Sequence, residues 1–161
     1  MIRNVKLEDV HKICKIYNYY VLNSVATFEE IPIEVDEMRK KIQAVNSKLP
    51  WIVFEDGNEI LGYAYASEWN SRSAYKHTIE SSVYLKQGHS SKGLGSILYT
   101  TLIKQLIQLD FHAIIGGISL PNEASIALHE KFGFKKVAQF NDVGFKFGNW
   151  VDVGYWELLI N

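Results

Sequence analysis

The stretch HSSKGLGS, residues 89–96, runs without a break into ILYTTLIKQLIQL, residues 97–109. A polar loop with two glycines thus opens directly onto a strongly apolar helical run. Glycine costs a helix interior about 1 kcal/mol relative to alanine, so Gly93 and Gly95 at a helix entrance call for an explanation. The first four N–H groups of a helix lack intrahelical partners, and its N-terminus carries about half a positive charge. Glycines in front of it let an anion approach the backbone closely. SSKGLGS therefore reads as a phosphate cradle, with Lys92 adding charge and Ser90, Ser91 and Ser96 adding hydroxyl donors. The alternative is an ordinary strand-to-helix turn. Lys92 precedes the glycines, so the GxxxxGK[ST] pattern of nucleotide-binding loops is absent. A dinucleotide fingerprint would need another glycine and an acidic residue about 20 residues on.

Working outward, the helix runs from about Leu94 to Leu109 between two strand-like segments, HTIESSVYLK (77–86) and HAIIGGIS (112–119). That is a β-helix-β unit. Before it, WIVFE (51–55) and EILGYAYASEW (59–69) flank Asp56-Gly57-Asn58, a hairpin signal. IRNVK reads as a short first strand. Val10, Ile13, Cys14, Tyr17 and Val21 recur at helical spacing behind Asp9, a candidate cap. A second helix starts near Val35 with Met38, Ile42 and Val45 on one face. Asn122 would cap a helix that stops at Gly133, and KVAQF (136–140) and DVGYWELLI (152–160) close the sheet. The expectation is one α/β domain, α+β in its mixture, spanning 1–161 around a single mixed sheet.

Two further segments bear on chemistry. In IESSVYL, period two places Glu80, Ser82 and Tyr84 on one face and Ile79, Ser81, Val83 and Leu85 on the other. A carboxylate in mid-strand is costly unless it is paired or used, so Glu80 is either salt-bridged or a general base beside the cradle. In LPNEASIALHEKFGF (120–134), Asn122, Ser125 and His129 fall on one helix face. Spacing alone fits a capping Asn122 and a packed His129.

The chain has 161 residues, enough for one full core, with 47% apolar and 22% charged residues. A net charge of -1 offers no basic surface for nucleic acid or anionic lipid. Cys14 is the single cysteine, so no internal disulfide can form. No apolar run approaches the roughly 20 residues of a membrane span, and the N-terminus lacks a signal-peptide core. No metal site is expected, and a cytoplasmic location is.

Taken together, strand, GxG loop, long helix, strand and NxxSxxxHxxxGF resemble the GNAT superfamily of acyl-CoA-dependent N-acetyltransferases. The resemblance is closest to the phosphinothricin N-acetyltransferase and methionine sulfoximine acetyltransferase family. It is carried by IYNYYV (16–21), PWIVFEDGNEILGYAYASEW (50–69), SAYKHTIESSVYL (73–85), KGLGSILYTTLIKQL (92–106), GGISLPNEASIALHEKFGF (116–134) and VGFKFGNWVDVGYWEL (143–158). These segments lie in order over nearly the whole chain. One position departs: Ser90 stands where the family usually has Gln or Arg three residues before the first glycine.

The resemblance implies a mostly antiparallel sheet splayed into a V, with helices on both faces and acetyl-CoA in the V. Val83, Tyr84 and Leu85 would pair with the pantetheine arm. Ser91, Lys92, Gly93, Leu94, Gly95 and Ser96 would hold the pyrophosphate, and Asn122 and Ser125 would also contact the cofactor. Glu80 would be the general base and His129 the candidate acid. Phe28, Trp69, Arg72, Tyr75, Ser82 and Lys146 would bind the acceptor, a small amine resembling an amino acid. The family pattern also implies a homodimer. Competing readings are a protein or peptide N-acetyltransferase of the same fold, a non-catalytic acyl-CoA-binding module, and an ATP-binding protein.

Overall fold

The computed structural model describes residues 1–161 and builds them around one seven-stranded sheet in the order β1-β2-β3-β4-β5-β7-β6. The strands are β1 (Ile2–Asn4), β2 (Trp51–Asp56), β3 (Glu59–Glu68), β4 (Thr78–Leu85), β5 (Ala113–Leu120), β6 (Lys135–Lys146) and β7 (Asn149–Leu159). The helices are α1 (Val10–Asn23), α2 (Val35–Asn46), α3 (Leu94–Gln108) and α4 (Glu123–Lys131). All neighbouring strands are antiparallel except β4 and β5, which α3 connects in parallel. The mixed sheet and the helix boundaries agree closely with the expectation from sequence.

The period-two patterning of β2 and β3 explains why the sheet is covered on both sides. Trp51 and Val53 of β2, with Tyr63 and Tyr65 of β3, pack with Ile13, Tyr17, Met38 and Ile42 from α1 and α2. The intervening Ile52, Ala64 and Ala66 face Leu98, Leu102 and Leu106 of α3. Trp51 stacks on Tyr65 with ring centroids 4.1 Å apart. Two apolar cores thus sandwich the central strands, and each contains about a dozen fully buried side chains. None of the helices is long and apolar enough to cross a membrane.

Asp9 corrects one expectation. It stands at the α1 boundary but makes no side-chain cap there. Its carboxylate instead accepts the Lys6 N–H at 2.8 Å and both Arg3 guanidinium NH groups at 2.8 and 2.9 Å. A three-residue 3-10 turn, Leu7–Asp9, precedes the helix and diverts the cap.

The feature that makes room for a site is a fork. β4 and β5 pair only through Thr78–Ala113, Ile79–Ile114 and Glu80–Ile115. Beyond that point β4 stays on β3 as far as Leu85, while β5 stays on β7 as far as Leu120. The two strands diverge, and the sheet opens into the V.

Candidate active site

The V holds a cavity of ≈ 630 Å³ lined by β4, the 90–96 segment, the end of β5 and α4. Its β4 wall offers unused backbone. Lys86 N–H donates to Leu61 O at 2.8 Å, and Tyr84, Ser82 and Glu80 sit opposite Tyr63, Tyr65 and Ser67 in the same register. By the alternation of an antiparallel ladder, Ser81, Val83 and Leu85 turn their N–H and C=O groups toward the open side. The Leu85 carbonyl already accepts the Tyr20 hydroxyl at 2.6 Å. The Ser81 N–H closes the last step of the β4–β5 ladder at the Glu80–Ile115 pair, so it is Val83, beyond the fork, that keeps both of its groups for a ligand.

The glycine-bearing segment lines the same cavity where α3 begins. Gly93 stands at the α3 N-terminus with φ 77°, in the left-handed region, and no side chain caps the helix. A Cβ at Gly93 would meet nothing within 4 Å, so the space before the helix is open. A side chain there would therefore be strained by the backbone rather than by crowding. Ser90, Ser91, Gly93, Leu94, Gly95 and Ser96 all line the cavity. Lys92 is exposed in the same loop, outside the lining. Lys131, which the sequence reading did not single out, lines the cavity from α4 and donates to Ser96 Oγ at 3.0 Å.

Glu80 stands at the fork itself, as the last β4 residue paired to β5. It is half-buried, lines the cavity, and takes part in no ion pair. Burial therefore raises its pKa with nothing to offset it. Its Oε1 lies 3.6 Å from where a Gly117 Cβ would be, beside the Tyr155 ring. Trp69 meets Tyr155 edge-on at 5.6 Å, one ring away from the carboxylate.

His129 is buried, and both of its ring nitrogens are engaged. A carbonyl can only accept, so Nδ1–H donates to Ser125 O at 2.7 Å, and Nε2 accepts from the Tyr99 hydroxyl at 2.8 Å. Ser81 Oγ stands 3.1 Å from the same hydroxyl and donates to it. Burial lowers the His129 pKa, against the opposing pull of the Ser125 carbonyl, and keeps the ring neutral. A Cβ at Gly116 would lie 2.6 Å from Nε2, so only glycine at that β5 position admits the imidazole. Asn122 caps α4 by accepting the Ser125 N–H at 3.1 Å, and both residues line the cavity.

The structure gathers Glu80, Ser82, Val83, Tyr84, Leu85, the loop residues except Lys92, Asn122, Ser125 and His129 into one cavity. Phe28, Trp69, Arg72, Tyr75 and Lys146 lie outside its lining. Arg72 and Tyr75 are exposed on the loop before β4, and the Phe28 ring packs over Gly144. Lys146 is buried, with its ammonium on the carbonyls of Ser24 and Thr27. The sequence reading missed Tyr99, Ser81, Tyr20 and Thr27 as parts of the site. Their signals were aromatic and hydroxyl residues at ordinary core positions.

A parallel pair that forks around a cavity, with a glycine-led helix N-terminus at one end, defines the class. Residues 2–154 match the family model described as acetyltransferase (GNAT) domain, and the chain belongs to that family of acyltransferases. It is similar to the phosphinothricin N-acetyltransferase of Streptomyces viridochromogenes, 36% identical over 97% of this chain and 85% of that protein. It is also similar to the L-methionine sulfoximine/L-methionine sulfone acetyltransferase of Salmonella typhimurium, 34% identical over 99% of this chain and 94% of that one. Among solved structures, a GNAT phosphinothricin acetyltransferase from Sinorhizobium meliloti in complex with acetyl-CoA superposes with a TM-score of 0.97. It is 32% identical, covering 100% of this chain and 88% of that one. An N-acetyltransferase from Staphylococcus aureus Mu50 gives 0.98 at 34% identity, covering 100% and 98%.

Proposed function

We propose that this enzyme transfers the acetyl group of acetyl-CoA to the free amine of a small amino-acid-like acceptor of the phosphinothricin or methionine sulfoximine/sulfone type. The observation that carries the reading is Glu80: a half-buried carboxylate without an ion pair, at the strand fork, in the same cavity as the anion cradle of α3. The names of the similar proteins support the acceptor class.

The residues fit acetyl-CoA as the acetyl donor. Ser91, Gly93, Leu94, Gly95 and Ser96 bring N–H groups and the helix dipole to a pyrophosphate. Lys131 supplies charge on the opposite wall, where Ser90 cannot. The Val83 carbonyl takes an amide N–H of the pantetheine arm as an added strand would, which leaves the Val83 N–H for the thioester end. Glu80 removes a proton from the acceptor ammonium, directly or through one water, and frees the lone pair for direct attack on the thioester carbonyl. Its raised pKa suits that task, because a base works best with a pKa near the operating pH. The Val83 N–H is placed to donate to the oxygen that gains charge in the transition state.

His129 has no free proton to give the leaving thiolate. It anchors a relay, Ser81 to Tyr99 to His129, that reaches the cleft through hydroxyls. Arg72 would meet an acceptor carboxylate or phosphinate at the rim, with Trp69 and Tyr75 beside it. A homodimer is part of the reading. Val137, Phe140, Val143, Phe145, Phe147 and Trp150 are more than half exposed on or next to β6 and β7, an apolar surface suited to a second copy.

The test is thiol release from acetyl-CoA against phosphinothricin, methionine sulfoximine, methionine sulfone, common amino acids, polyamines and an N-terminal peptide. Saturable turnover confined to the amino acid analogues is expected. Turnover of the peptide alone would replace the acceptor class. No turnover with acetyl-CoA bound would leave a binding module.

A further inference from the structure

One wall of the cavity that holds Glu80 is a loop, and the loop is held from a distance. Residues 24–34, between α1 and α2, form no regular element, yet Ala26 and Thr27 line the cavity. Within the loop the ties are short-range: Ala26 N–H donates to Ser24 Oγ at 3.0 Å and Glu29 N–H to Thr27 Oγ1 at 3.3 Å. Tyr17 adds a hydroxyl contact to Thr27 at 2.9 Å. At its far end Asn18 of α1 holds Ile33, accepting its N–H at 2.9 Å and donating to its carbonyl at 3.0 Å, while the grip on the 24–28 end comes from β6, more than a hundred residues away. Lys146 Nζ donates to Ser24 O at 2.7 Å and Thr27 O at 2.8 Å, bracketing the segment that holds Ala26. Two residues earlier, Gly144 leaves the space filled by the Phe28 ring, for a Cβ there would stand 2.4 Å from Phe28 Cζ. Gly144 and Lys146 share one face of the strand and are the only buried residues of β6.

Such an arrangement is expensive. Lys146 is 2% exposed and no carboxylate pairs with it. Its ammonium is answered by two carbonyls and by the Phe147 ring at 5.0 Å. A buried charge without a counter-ion is normally replaced or neutralised. A structural tie of two backbone carbonyls does not by itself require a charge.

We propose that Lys146, seated by Gly144, is a positioning residue for the acceptor: it fixes the Ala26–Thr27 wall of the cavity that holds Glu80 and so sets which amines fit. The proposal rests on the acetyl-transfer reading for its kinetic consequence, while the latch itself is readable without turnover.

The experiment compares the full-length wild type with Lys146→Met and Gly144→Ala. The first keeps the apolar stem and removes the charge; the second displaces Phe28 and leaves Lys146 in place. Hydrogen exchange is expected to rise about tenfold or more at amides 25–29 in both variants, and to stay unchanged at 90–96. With methionine sulfone as acceptor, its KM should rise about tenfold while the acetyl-CoA dissociation constant, read by calorimetry, moves less than about twofold. If the wild type acetylates none of the amines, the exchange result still decides the latch. Unchanged exchange at 25–29 in both variants would overturn the proposal. So would faster exchange with an unchanged acceptor KM, or acceptor and acetyl-CoA parameters that shift in parallel.

Discussion

At the scale of single residues, the site depends on groups whose neighbours are missing as much as on those present. Glu80 lacks a cation, so burial alone raises its pKa. The sign follows directly. A carboxyl with a raised pKa stays protonated to higher pH, and a protonated base cannot accept the ammonium proton. Activity should therefore fall as pH drops through a value above the ordinary carboxylate range of about 4.3, and kcat/KM measured against pH should show that limb. Tyr99 is the opposite case, fully partnered between Ser81 and His129. Tyr99→Phe would leave two buried polar groups short of a partner, at about 1–3 kcal/mol each. Urea unfolding should show a lower midpoint with an unchanged slope. The mid-strand carboxylate was legible because period two is strict. The Tyr99–His129 bond was not, since the two residues lie 30 apart on different helices and meet only through the space at Gly116.

At the scale of elements, the α3 N-terminus carries the most testable geometry. Gly93 has φ 77°, and a non-glycine residue there costs roughly 1–2 kcal/mol. Gly93→Ala should lower acetyl-CoA affinity, read by calorimetry, by about tenfold as the loop N–H groups turn away. Affinity equal to wild type would show that the cradle does not bind through its backbone. This element was readable in advance because glycines before an apolar helical run have few other uses. β6 was not. The expectation covered only Lys136–Phe140, whereas the strand extends to Lys146 through two register shifts. Its exposed apolar residues do not alternate cleanly, so no period announced it. Asp9 failed as a cap for a related reason: helix-start patterns look forward along the chain, and its partner Arg3 lies behind it.

At the scale of the whole molecule, the order of strands and helices was legible from alternation, hairpin signal and caps. The fork was not, because it is a difference between two registers: β4 follows β3 and β5 follows β7 after only three shared pairs. The exposed apolar surface of β6 and β7 makes its own prediction. Light scattering on the full chain should report twice the monomer mass of 18.4 kDa, and Trp150→Glu should shift it toward the monomer. A monomer at micromolar concentration would remove the homodimer from the account.

The most direct measurement pairs wild type with Glu80→Gln, an exchange that keeps shape and removes the base. Acetyl-CoA binding is measured by calorimetry and thiol release with methionine sulfone across pH. The account predicts equal binding, a kcat/KM lower by about 10²–10⁴, and loss of the acidic limb. Equal turnover with the limb still present would show that Glu80 is not the base.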